Sequence, residues 1–379
     1  MPKLLHALLI PLLGALVAAS ASAATPVPAA PELPARGYVL LDAFSRQVLA
    51  AHNDTERLEP ASLTKLMTAY AVFQALRDGK LKLDQPVPIS EHAWRAEGSR
   101  TFVDVGSRVP VEVLIQGMIV QSGNDATIAL AEAVGGSEAT FAALMNQYSE
   151  RLGLKGSHWT NSSGLPDPNH YTTARDIALL GAALVREFPE YYKYYSQRSF
   201  TYNNITQQNR NGLLERDPTV DGIKTGHTDA AGYCLASSAL RDGMRLVSVV
   251  MGTASPKARE DASAALLGYG FNFFETRRLY AAGQRVGATK VFKVGDPVPL
   301  VIHSDVYATA ARGALAGAKA RLLVKTRLIA PLAASAPVGR LQVTLAESAL
   351  AEVPVYPAGN VETGNILRRM IDTVRLWFN

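Results

Sequence analysis

The chain has 379 residues, 48% of them hydrophobic and 19% charged, which suits two or three globular domains and excludes a disordered chain. One cysteine, Cys234, excludes an intramolecular disulfide framework, and seven scattered histidines without an HExxH motif predict neither a metal site nor another cofactor. The net charge is +5, and residues 282 to 379 hold twelve Lys and Arg against six Asp and Glu, so the C-terminal end favours an acidic partner.

The N-terminal segment has the pattern of a secretory signal peptide. Lys3 precedes an apolar run from residue 7 to 19, and small residues at 21 to 23 follow as a cleavage site. A transmembrane anchor is the alternative, but the run is shorter than the ~20 residues that a bilayer requires. We therefore expect residues 1–23 to be removed and the mature protein to be exported.

Residues 24–281 combine helical and strand patterns in one predicted domain. Residues 37–51 have the alternation of a β-hairpin, and residues 61–78 carry apolar side chains at helical spacing. Two further stretches, residues 110–134 and 138–154, are also helical in pattern. Helices therefore dominate the centre of this domain.

Strand patterns dominate the second half of the chain. Apolar runs at 232–240 and 244–252 flank a turn signal at 241–243, and these strands are expected to join the N-terminal hairpin in one antiparallel sheet. From residue 282 to 360, short valine-rich segments alternate with Gly and Pro. This composition predicts a small β-rich C-terminal domain.

The last segment, residues 361–379, has the pattern of an amphipathic helix. Its apolar side chains fall on one stripe of a 3.6-residue helix, at Ile366, Leu367, Met370, Ile371, Val374, Trp377 and Phe378. Arg368, Arg369 and Arg375 lie largely on the opposite side, which is typical of a helix in the plane of a membrane surface. The alternative is a helix that packs on the protein's own core. The pattern favours a membrane lipid surface, contacted by residues 366–378, over nucleic acid as the acidic partner.

Three short motifs carry the chemistry of the predicted domain. Ser62-Leu63-Thr64-Lys65 is an S-x-x-K at the start of a predicted helix, and Ser122-Gly123-Asn124 is an S-x-N in a break between helical segments. Lys224-Thr225-Gly226 begins a predicted strand. Each motif alone is weak evidence, but their order and the elements that carry them make coincidence a poor explanation.

With these motifs, and in the surrounding segments PASLTKLMTAY, QSGNDA, NITQQNRNGLL, DGIKTGHT and KARED, the chain resembles the serine D-alanyl-D-alanine carboxypeptidases, the low-molecular-mass penicillin-binding proteins. The resemblance covers essentially the whole mature chain. It implies an α/β (α+β) fold in which a penicillin-binding and β-lactamase-like transpeptidase domain has a mostly antiparallel sheet flanked by helices. A small all-β C-terminal domain and a membrane-anchoring helix follow.

The resemblance also implies an activity. Such an enzyme removes the terminal D-alanine from a peptidoglycan pentapeptide through a serine acyl-enzyme, is acylated by β-lactam antibiotics, and works peripherally at the periplasmic face of the inner membrane.

The S-x-x-K motif has a physical rationale as a catalytic pair. Ser62 at a helix N-terminus is the predicted nucleophile, because backbone amides and the helix dipole stabilise a developing oxyanion there. Lys65 lies one turn later on the same helix face and is the predicted general base, because burial near a second cation eases loss of its proton. Ser122 is expected to pass a proton to the leaving D-alanine.

The remaining candidates are expected to bind substrate. Asn124 should donate to the substrate amide, Lys224 and Thr225 should bind the terminal carboxylate, and Gly226 should leave the strand edge open to the substrate backbone. The resemblance implies an oxyanion hole formed by the backbone N–H groups of Ser62 and His227.

Arg210 and Arg259 are secondary candidates for contacts with the substrate or its carboxylate, with surface salt bridges as the alternative. Cys234, in an apolar strand, is interpreted as a small core residue and not as a functional thiol.

Other functions compete with this interpretation. A serine β-lactamase shares the acylation chemistry, but class A enzymes use a glutamate before K-T-G to hydrolyse the acyl-enzyme, and the polar loop at residues 161–176 contains none. The non-enzyme alternative is a catalytically silent cell-wall binding protein, against which the complete motif set argues. Within the family, an endopeptidase that opens D-Ala to meso-diaminopimelate cross-links is a further alternative.

Overall fold

The computed structural model describes residues 26–364. The predicted signal peptide and the predicted apolar stripe at 366–378 lie outside these residues. The strands are β1 Gly37–Asp42, β2 Val48–His52, β3 Pro86–Pro88, β4 Arg108–Pro110, β5 Ser199–Tyr202, β6 Ile205–Gln208, β7 Val220–Thr228, β8 Gly232–Arg241, β9 Met244–Thr253, β10 Phe274–Tyr280, β11 Arg285–Thr289, β12 Val298–Val301, β13 Val306–Ala311, β14 Lys319–Val324, β15 Gly339–Leu345 and β16 Ser348–Pro357. The α-helices are α1 Lys65–Arg77, α2 Glu91–Trp94, α3 Val111–Gln116, α4 Asn124–Gly135, α5 Glu138–Leu152, α6 Ala174–Glu187, α7 Pro189–Tyr192, α8 Leu213–Arg216 and α9 Pro256–Phe273.

The first domain is built on a five-stranded antiparallel sheet in the order β2-β1-β9-β8-β7. The N-terminal hairpin therefore joins β8 and β9 in one sheet, as the strand patterns predicted. The tight turn between β8 and β9 contains Asp242 and Gly243, both with positive φ angles of 47° and 78°. Asp and Gly tolerate this conformation, so the turn fixes the register of the pair.

Helices cover both faces of this sheet. In β1, Val39 and Leu41 point into one core with α1 and α6, whereas Leu40 points into a second core with α9. Because both faces are covered, β9 is buried along nearly its whole length and does not alternate between buried and exposed residues.

The helical region contains breaks, one of them at the S-x-N motif, where the sequence placed a break between helical segments. The predicted helix from residue 61 begins as a 3₁₀ turn, Ala61–Thr64, and continues as α1. The predicted helix at 110–134 is interrupted, because α3 runs into a π-helical turn at Gly117–Gln121 and Ser122 adopts a left-handed conformation with φ of 67° before α4. Irregular helical turns of this kind occur often at functional sites.

The C-terminal residues form an all-β module. A five-stranded sheet has the order β11-β12-β16-β15-β14, and β10 pairs with β13. Strand β10 spans residues 274–280 and pairs with β13, so strand pairing in this module begins before the predicted boundary at residue 282. The boundaries 24–281 and 282–360 stay predictions from composition.

Polar contacts join the module to the first domain. The hydroxyl of Thr276 donates to Asp42 Oδ2 at 2.6 Å, and Ser45 Oγ lies 2.6 Å from Thr309 Oγ1. Burial raises the pKa of Asp42, although hydrogen bonds from Thr276 and Ser45 oppose that effect.

Within residues 26–364, no single helix has both the length and the apolar composition to cross a membrane. Helices α4 and α5 reach that length and apolar composition only when taken together, and the chain bends by 79° between them.

Candidate active site

The predicted nucleophile lies on a crowded turn. Ser62 belongs to the 3₁₀ turn that precedes α1, next to Ala61, whose φ of 46° is unusual for a residue with a side chain. A Cβ atom on Gly164 would lie 1.8 Å from the Ala61 carbonyl oxygen. The backbone of the loop at 161–164 therefore presses directly on the turn, which is possible only because residue 164 is glycine.

Gly226 of the K-T-G motif approaches the same turn from β7. A Cβ atom there would lie 3.0 Å from the Pro60 carbonyl oxygen and 3.3 Å from the Leu63 nitrogen. The sequence suggested that this glycine leaves the strand edge open to substrate. The geometry gives it a second reason, since the strand could not pack so closely on the nucleophile turn with a side chain at this position.

Lys65 is fully buried beneath Ser62. Its Nζ lies 3.0 Å from Ser62 Oγ and donates to Asn124 Oδ1 at 2.7 Å and to the Ser163 carbonyl at 2.8 Å. Burial, with the nearby Arg210 cation as the next cause, lowers the pKa of Lys65 to about 7. A neutral amine keeps two N–H donors for the two carbonyl-type acceptors and leaves its lone pair for the Ser62 hydroxyl proton.

Ser122 and Lys224 are the other buried members of the predicted site. The Ser122 hydroxyl is buried and, within residues 26–364, has no hydrogen-bond partner. Lys224 Nζ donates to the Thr225 carbonyl at 3.1 Å. The pKa of Lys224 lies well below its ordinary value because of burial first and the Lys65, Arg210 and Arg259 cations next.

The site has an excess of basic side chains over acidic ones. In the part of the chain described here, no carboxylate lies within 4.0 Å of the charged nitrogens of Lys65, Lys224, Arg210 or Arg259. The positive charges in this cluster repel one another, which contributes to the lowered pKa values of Lys65 and Lys224, and an entering anion would offset the repulsion. The arrangement is therefore suited to a substrate that carries a carboxylate.

These residues meet at a cleft of about 680 Å³, lined by Ser62, Gly98, Ser99, Ser122, Arg210, Thr225, Gly226, His227, Tyr233, Pro256 and Arg259. Seven of the ten predicted site residues line the cleft. The other three, Lys65, Asn124 and Lys224, are buried close to it. Gly98, Ser99, Tyr233 and Pro256 were not predicted, because nothing in the sequence near them distinguishes a cleft wall from an ordinary loop.

Close packing requires a glycine at the central position of the S-x-N motif, residue 123. A Cβ atom on Gly123 would lie 2.0 Å from Thr101 Oγ1 and 2.8 Å from the Thr101 backbone nitrogen. The following residue, Asp125, is fully buried and accepts hydrogen bonds from the backbone N–H groups of Thr101, Phe102 and Val103 at 2.8, 2.8 and 3.3 Å. Asp125 therefore holds the segment 101–103 against the motif, a role that was not predicted for it.

Asn124 has less free hydrogen-bonding capacity than the sequence suggested. Its Oδ1 accepts from Lys65, and its Nδ2 donates to the Glu97 carbonyl at 2.5 Å. One N–H of the side-chain amide remains for a substrate.

A glutamate outside the three motifs, Glu138, holds the loop at 161–164 in place. Glu138 Oε1 accepts from the backbone N–H and the hydroxyl of Ser162 at 2.9 and 2.6 Å, and its Oε2 lies 2.9 Å from His92 Nε2. Burial raises the pKa of Glu138, but the hydrogen bonds from Ser162 outweigh it and the pKa falls below its ordinary value. This glutamate orients the loop that supplies the Ser163 carbonyl to Lys65.

Arg259 connects two walls of the cleft. Its guanidinium is buried and donates to the Gly226 carbonyl and to the Arg210 carbonyl, both at 3.3 Å. His227 is exposed and stacks on Tyr233 with ring centroids 4.0 Å apart. The alternative of a surface salt bridge does not fit Arg259, because its guanidinium is buried and donates to two backbone carbonyls.

No group of three or more His, Cys, Asp or Glu side chains within residues 26–364 could hold a metal ion. Cys234 is buried in β8, and burial raises the pKa of its thiol to about 11, as suits a core residue.

Comparison with known proteins agrees with this architecture. The model of the D-alanyl-D-alanine carboxypeptidase family matches residues 23–255, and the model of the penicillin-binding protein 5 C-terminal domain matches residues 274–363. The chain belongs to the D-alanyl-D-alanine carboxypeptidase family, a class of serine penicillin-binding proteins, and carries in addition the C-terminal domain of penicillin-binding protein 5. The predicted family and fold class are confirmed.

Relatives match over nearly the full length. The chain is 41% identical to D-alanyl-D-alanine carboxypeptidase DacA of Escherichia coli K12, over 94% of this chain and 90% of the relative. It is 33% identical to DacF of Bacillus subtilis, over 90% of each chain. The crystal structure of penicillin-binding protein 5 from Haemophilus influenzae superposes with a TM-score of 0.82 and 42% identity, covering 89% of this chain and 99% of that structure.

Proposed function

We propose that this protein is a serine D-alanyl-D-alanine carboxypeptidase that removes the terminal D-alanine of peptidoglycan pentapeptides through an acyl-enzyme at Ser62. The single observation that carries the proposal is the buried Lys65 Nζ, 3.0 Å from Ser62 Oγ, with a pKa lowered to about 7. A base with a pKa near the working pH is best suited to proton transfer.

Acylation begins with neutral Lys65. Its Nζ takes the proton from Ser62 Oγ, and the oxygen attacks the carbonyl carbon of the penultimate D-alanine. The backbone N–H groups of Ser62 and His227 are proposed to stabilise the oxyanion, and Asn124 donates its remaining N–H to the substrate.

Departure of the leaving group needs a proton on its nitrogen. The Ser122 hydroxyl lines the cleft and has no partner within the described residues, which supports its role in passing that proton to the leaving D-alanine. The C–N bond then breaks and leaves an ester at Ser62. Water hydrolyses this ester and returns the serine hydroxyl.

Recognition of the terminal carboxylate follows from charge. Lys224 is buried among other cations without a carboxylate partner, and Thr225 lines the cleft beside it. An entering carboxylate relieves this repulsion. Arg210 and Arg259 add positive potential around the same point. Penicillins carry a carboxylate beside a reactive amide, so the same site accounts for acylation by β-lactams.

The location of the enzyme is also part of the proposal. Residues 1–23 export the chain, and residues 366–378 hold it peripherally at the periplasmic face of the inner membrane. Support comes from the charge and hydropathy pattern of these two segments.

The β-lactamase alternative is less well supported. Glu138 is the glutamate that contacts the loop at 161–164, and both of its oxygens are already engaged with Ser162 and His92. Glu138 is also not among the residues that line the cleft, so it is not placed to activate a water against an ester at Ser62. Slow hydrolysis of a penicilloyl ester is the expected behaviour.

The test incubates the secreted form with a monomeric disaccharide pentapeptide and, separately, with a cross-linked dimer, and identifies products by mass. Loss of one alanine from the monomer supports the proposal. Opening of the dimer alone indicates an endopeptidase, and no change in either indicates a silent binding protein. Rapid turnover of a penicillin would indicate a β-lactamase.

Covalent labelling by a fluorescent penicillin tests the nucleophile. Ser62→Ala should abolish labelling, whereas the control Ser199→Ala, at an exposed position of β5, should label like the wild type. Labelling that persists in Ser62→Ala would assign the nucleophile elsewhere.

A further inference from the structure

A buried histidine outside the three motifs contacts the nucleophile turn. His170 is 3% exposed, and its Nε2 lies 2.8 Å from Thr64 Oγ1. The Thr64 hydroxyl in turn donates to the Ala61 carbonyl at 2.8 Å. The two residues are 106 positions apart in the sequence, and neither has a role in the proposed chemistry.

The tautomer of His170 follows from its other partner. The backbone N–H of Thr160, which can only donate, points to His170 Nδ1 at 3.0 Å. Nδ1 therefore carries the lone pair, and the ring proton is on Nε2. His170 must then donate to Thr64, whose own proton is committed to the Ala61 carbonyl. The hydrogen bonds run in one direction, from His170 through Thr64 to Ala61.

The end of this chain of hydrogen bonds is part of the reactive centre. The Ala61 carbonyl and the Ser62 N–H belong to the same planar peptide unit, so the orientation of one determines the orientation of the other. Ala61 has a φ of 46°, a conformation that a residue with a side chain adopts only when its surroundings require it. The hydrogen bond from Thr64 stabilises this orientation of the peptide.

Close packing also confines the Ala61 carbonyl. The backbone of Gly164 presses on the Ala61 carbonyl, since a Cβ atom there would lie 1.8 Å from the oxygen and 2.7 Å from Thr64 Oγ1. Thr64 and Ala61 are both fully buried, so water has little access to replace a lost hydrogen bond.

We propose that His170 is a positioning residue that, through Thr64, holds the Ala61–Ser62 peptide so that the Ser62 N–H points into the oxyanion hole. The inference rests on the proposed function, because an oxyanion hole has meaning only if Ser62 is acylated. It adds two residues that the motif set does not contain in this role.

The test removes the Thr64 hydroxyl with a substitution that keeps the size of the side chain. Thr64→Val should lower the acylation rate constant for a fluorescent penicillin and kcat for a pentapeptide about 10- to 100-fold, somewhat less than deletion of an oxyanion donor. Thr64→Ser keeps the hydroxyl and should recover to within about threefold of the wild type. His170→Ala should resemble Thr64→Val.

A matched control separates positioning from loss of stability. Thr309→Val removes a fully buried hydroxyl that lies 2.6 Å from Ser45 Oγ and 2.8 Å from Thr276 Oγ1, in the β-module. It should lower the melting temperature as Thr64→Val does, but leave kcat unchanged. The affinity of a peptide boronic acid, which mimics the tetrahedral oxyanion, should fall in Thr64→Val in parallel with kcat while KM changes little.

The double variant tests whether the two residues act in series. If His170 acts through Thr64, His170→Ala should cost little more in the Thr64→Val background, whereas independent effects would multiply. Acylation of Thr64→Val within threefold of the wild type, or multiplied losses in the double variant, would overturn the proposal. A wild type that is not acylated at all would instead refute the proposed function.

Discussion

The acylation rate should fall at acid pH as Lys65 becomes protonated, and the pH of this fall should depend on the nearby Arg210 cation. Burial is the largest cause of the lowered pKa of Lys65, and Arg210 is the next. Replacing Arg210 with Gln removes that positive charge, so the pKa of Lys65 should rise and the acid limb should move to higher pH.

The size of the effect follows from the fraction of neutral amine. With a pKa of about 7, about half of Lys65 is neutral at pH 7, whereas at its ordinary value of 10.5 only about one molecule in 3,000 is neutral. The lowered pKa therefore raises the competent fraction about a thousandfold. Below pH 6 the rate should fall about tenfold per pH unit, and Arg210→Gln should lose more activity at pH 6 than at pH 9.

The assay is the second-order rate constant for penicillin acylation between pH 5 and 10. Arg210→Lys is the matched control, because it keeps the charge and should leave the limb near its wild-type position. A loss of rate that is equal at all pH values would assign Arg210 to substrate binding alone. A wild-type limb near pH 10 would refute the assignment of Lys65 as a lowered-pKa base.

Lys224→Ala should reduce acylation by free-acid substrates about 10- to 100-fold and by amidated analogues much less, since a charged hydrogen bond is worth about 1.5–3 kcal/mol; equal losses would exclude a carboxylate contact. Gly123→Ala should lower the free energy of unfolding by about 1–3 kcal/mol in urea denaturation, because its Cβ would meet Thr101 at 2.0 Å; an unchanged midpoint would contradict the packing. The pKa of His170 is lowered from 6.5 to about 4, mainly by burial, with Asp167 and Glu138 opposing and His158 reinforcing the shift. Between these two pKa values the unfolded chain binds a proton at His170 that the folded chain excludes, so the free energy of unfolding should fall by about 3 kcal/mol as the pH drops from 6.5 to 4. His170→Gln should reduce this pH dependence, and an unchanged dependence would refute the assignment to His170. Deleting residues 361–379 should release the protein from anionic liposomes in co-sedimentation, and equal pelleting of both forms would indicate that the tail packs on its own domain.

Much of the fold follows from local patterns. The hairpin at 37–51, the helix from residue 61 and the strands on either side of the turn at 241–243 are predictable, because alternation, helical spacing and turn residues act between near neighbours. The K-T-G motif shows the limit of this reasoning. It was expected to begin a strand, but β7 starts earlier, at Val220, since Gly222 and Val220 also pair with β8, with an irregularity in register between them.

The sequence predicted which residues form the site, but not the burial and the neighbouring charges that set their chemistry. Motif order identifies Ser62, Lys65 and Lys224, because the chemistry demands a nucleophile, a base and a cation at those elements. The lowered pKa of Lys65 is absent from the sequence, since it arises from burial and from Arg210, 145 positions away in the chain.

The sequence by itself determined which reactive groups the chain has, their order and the helix or strand that carries each. Only the tertiary structure decided that Gly123 and Gly164 must lack side chains and that His170 reaches Thr64. The physical reason is range: propensity and periodicity act over a few residues, whereas desolvation, close packing and hydrogen bonds between distant segments exist only after the chain has folded.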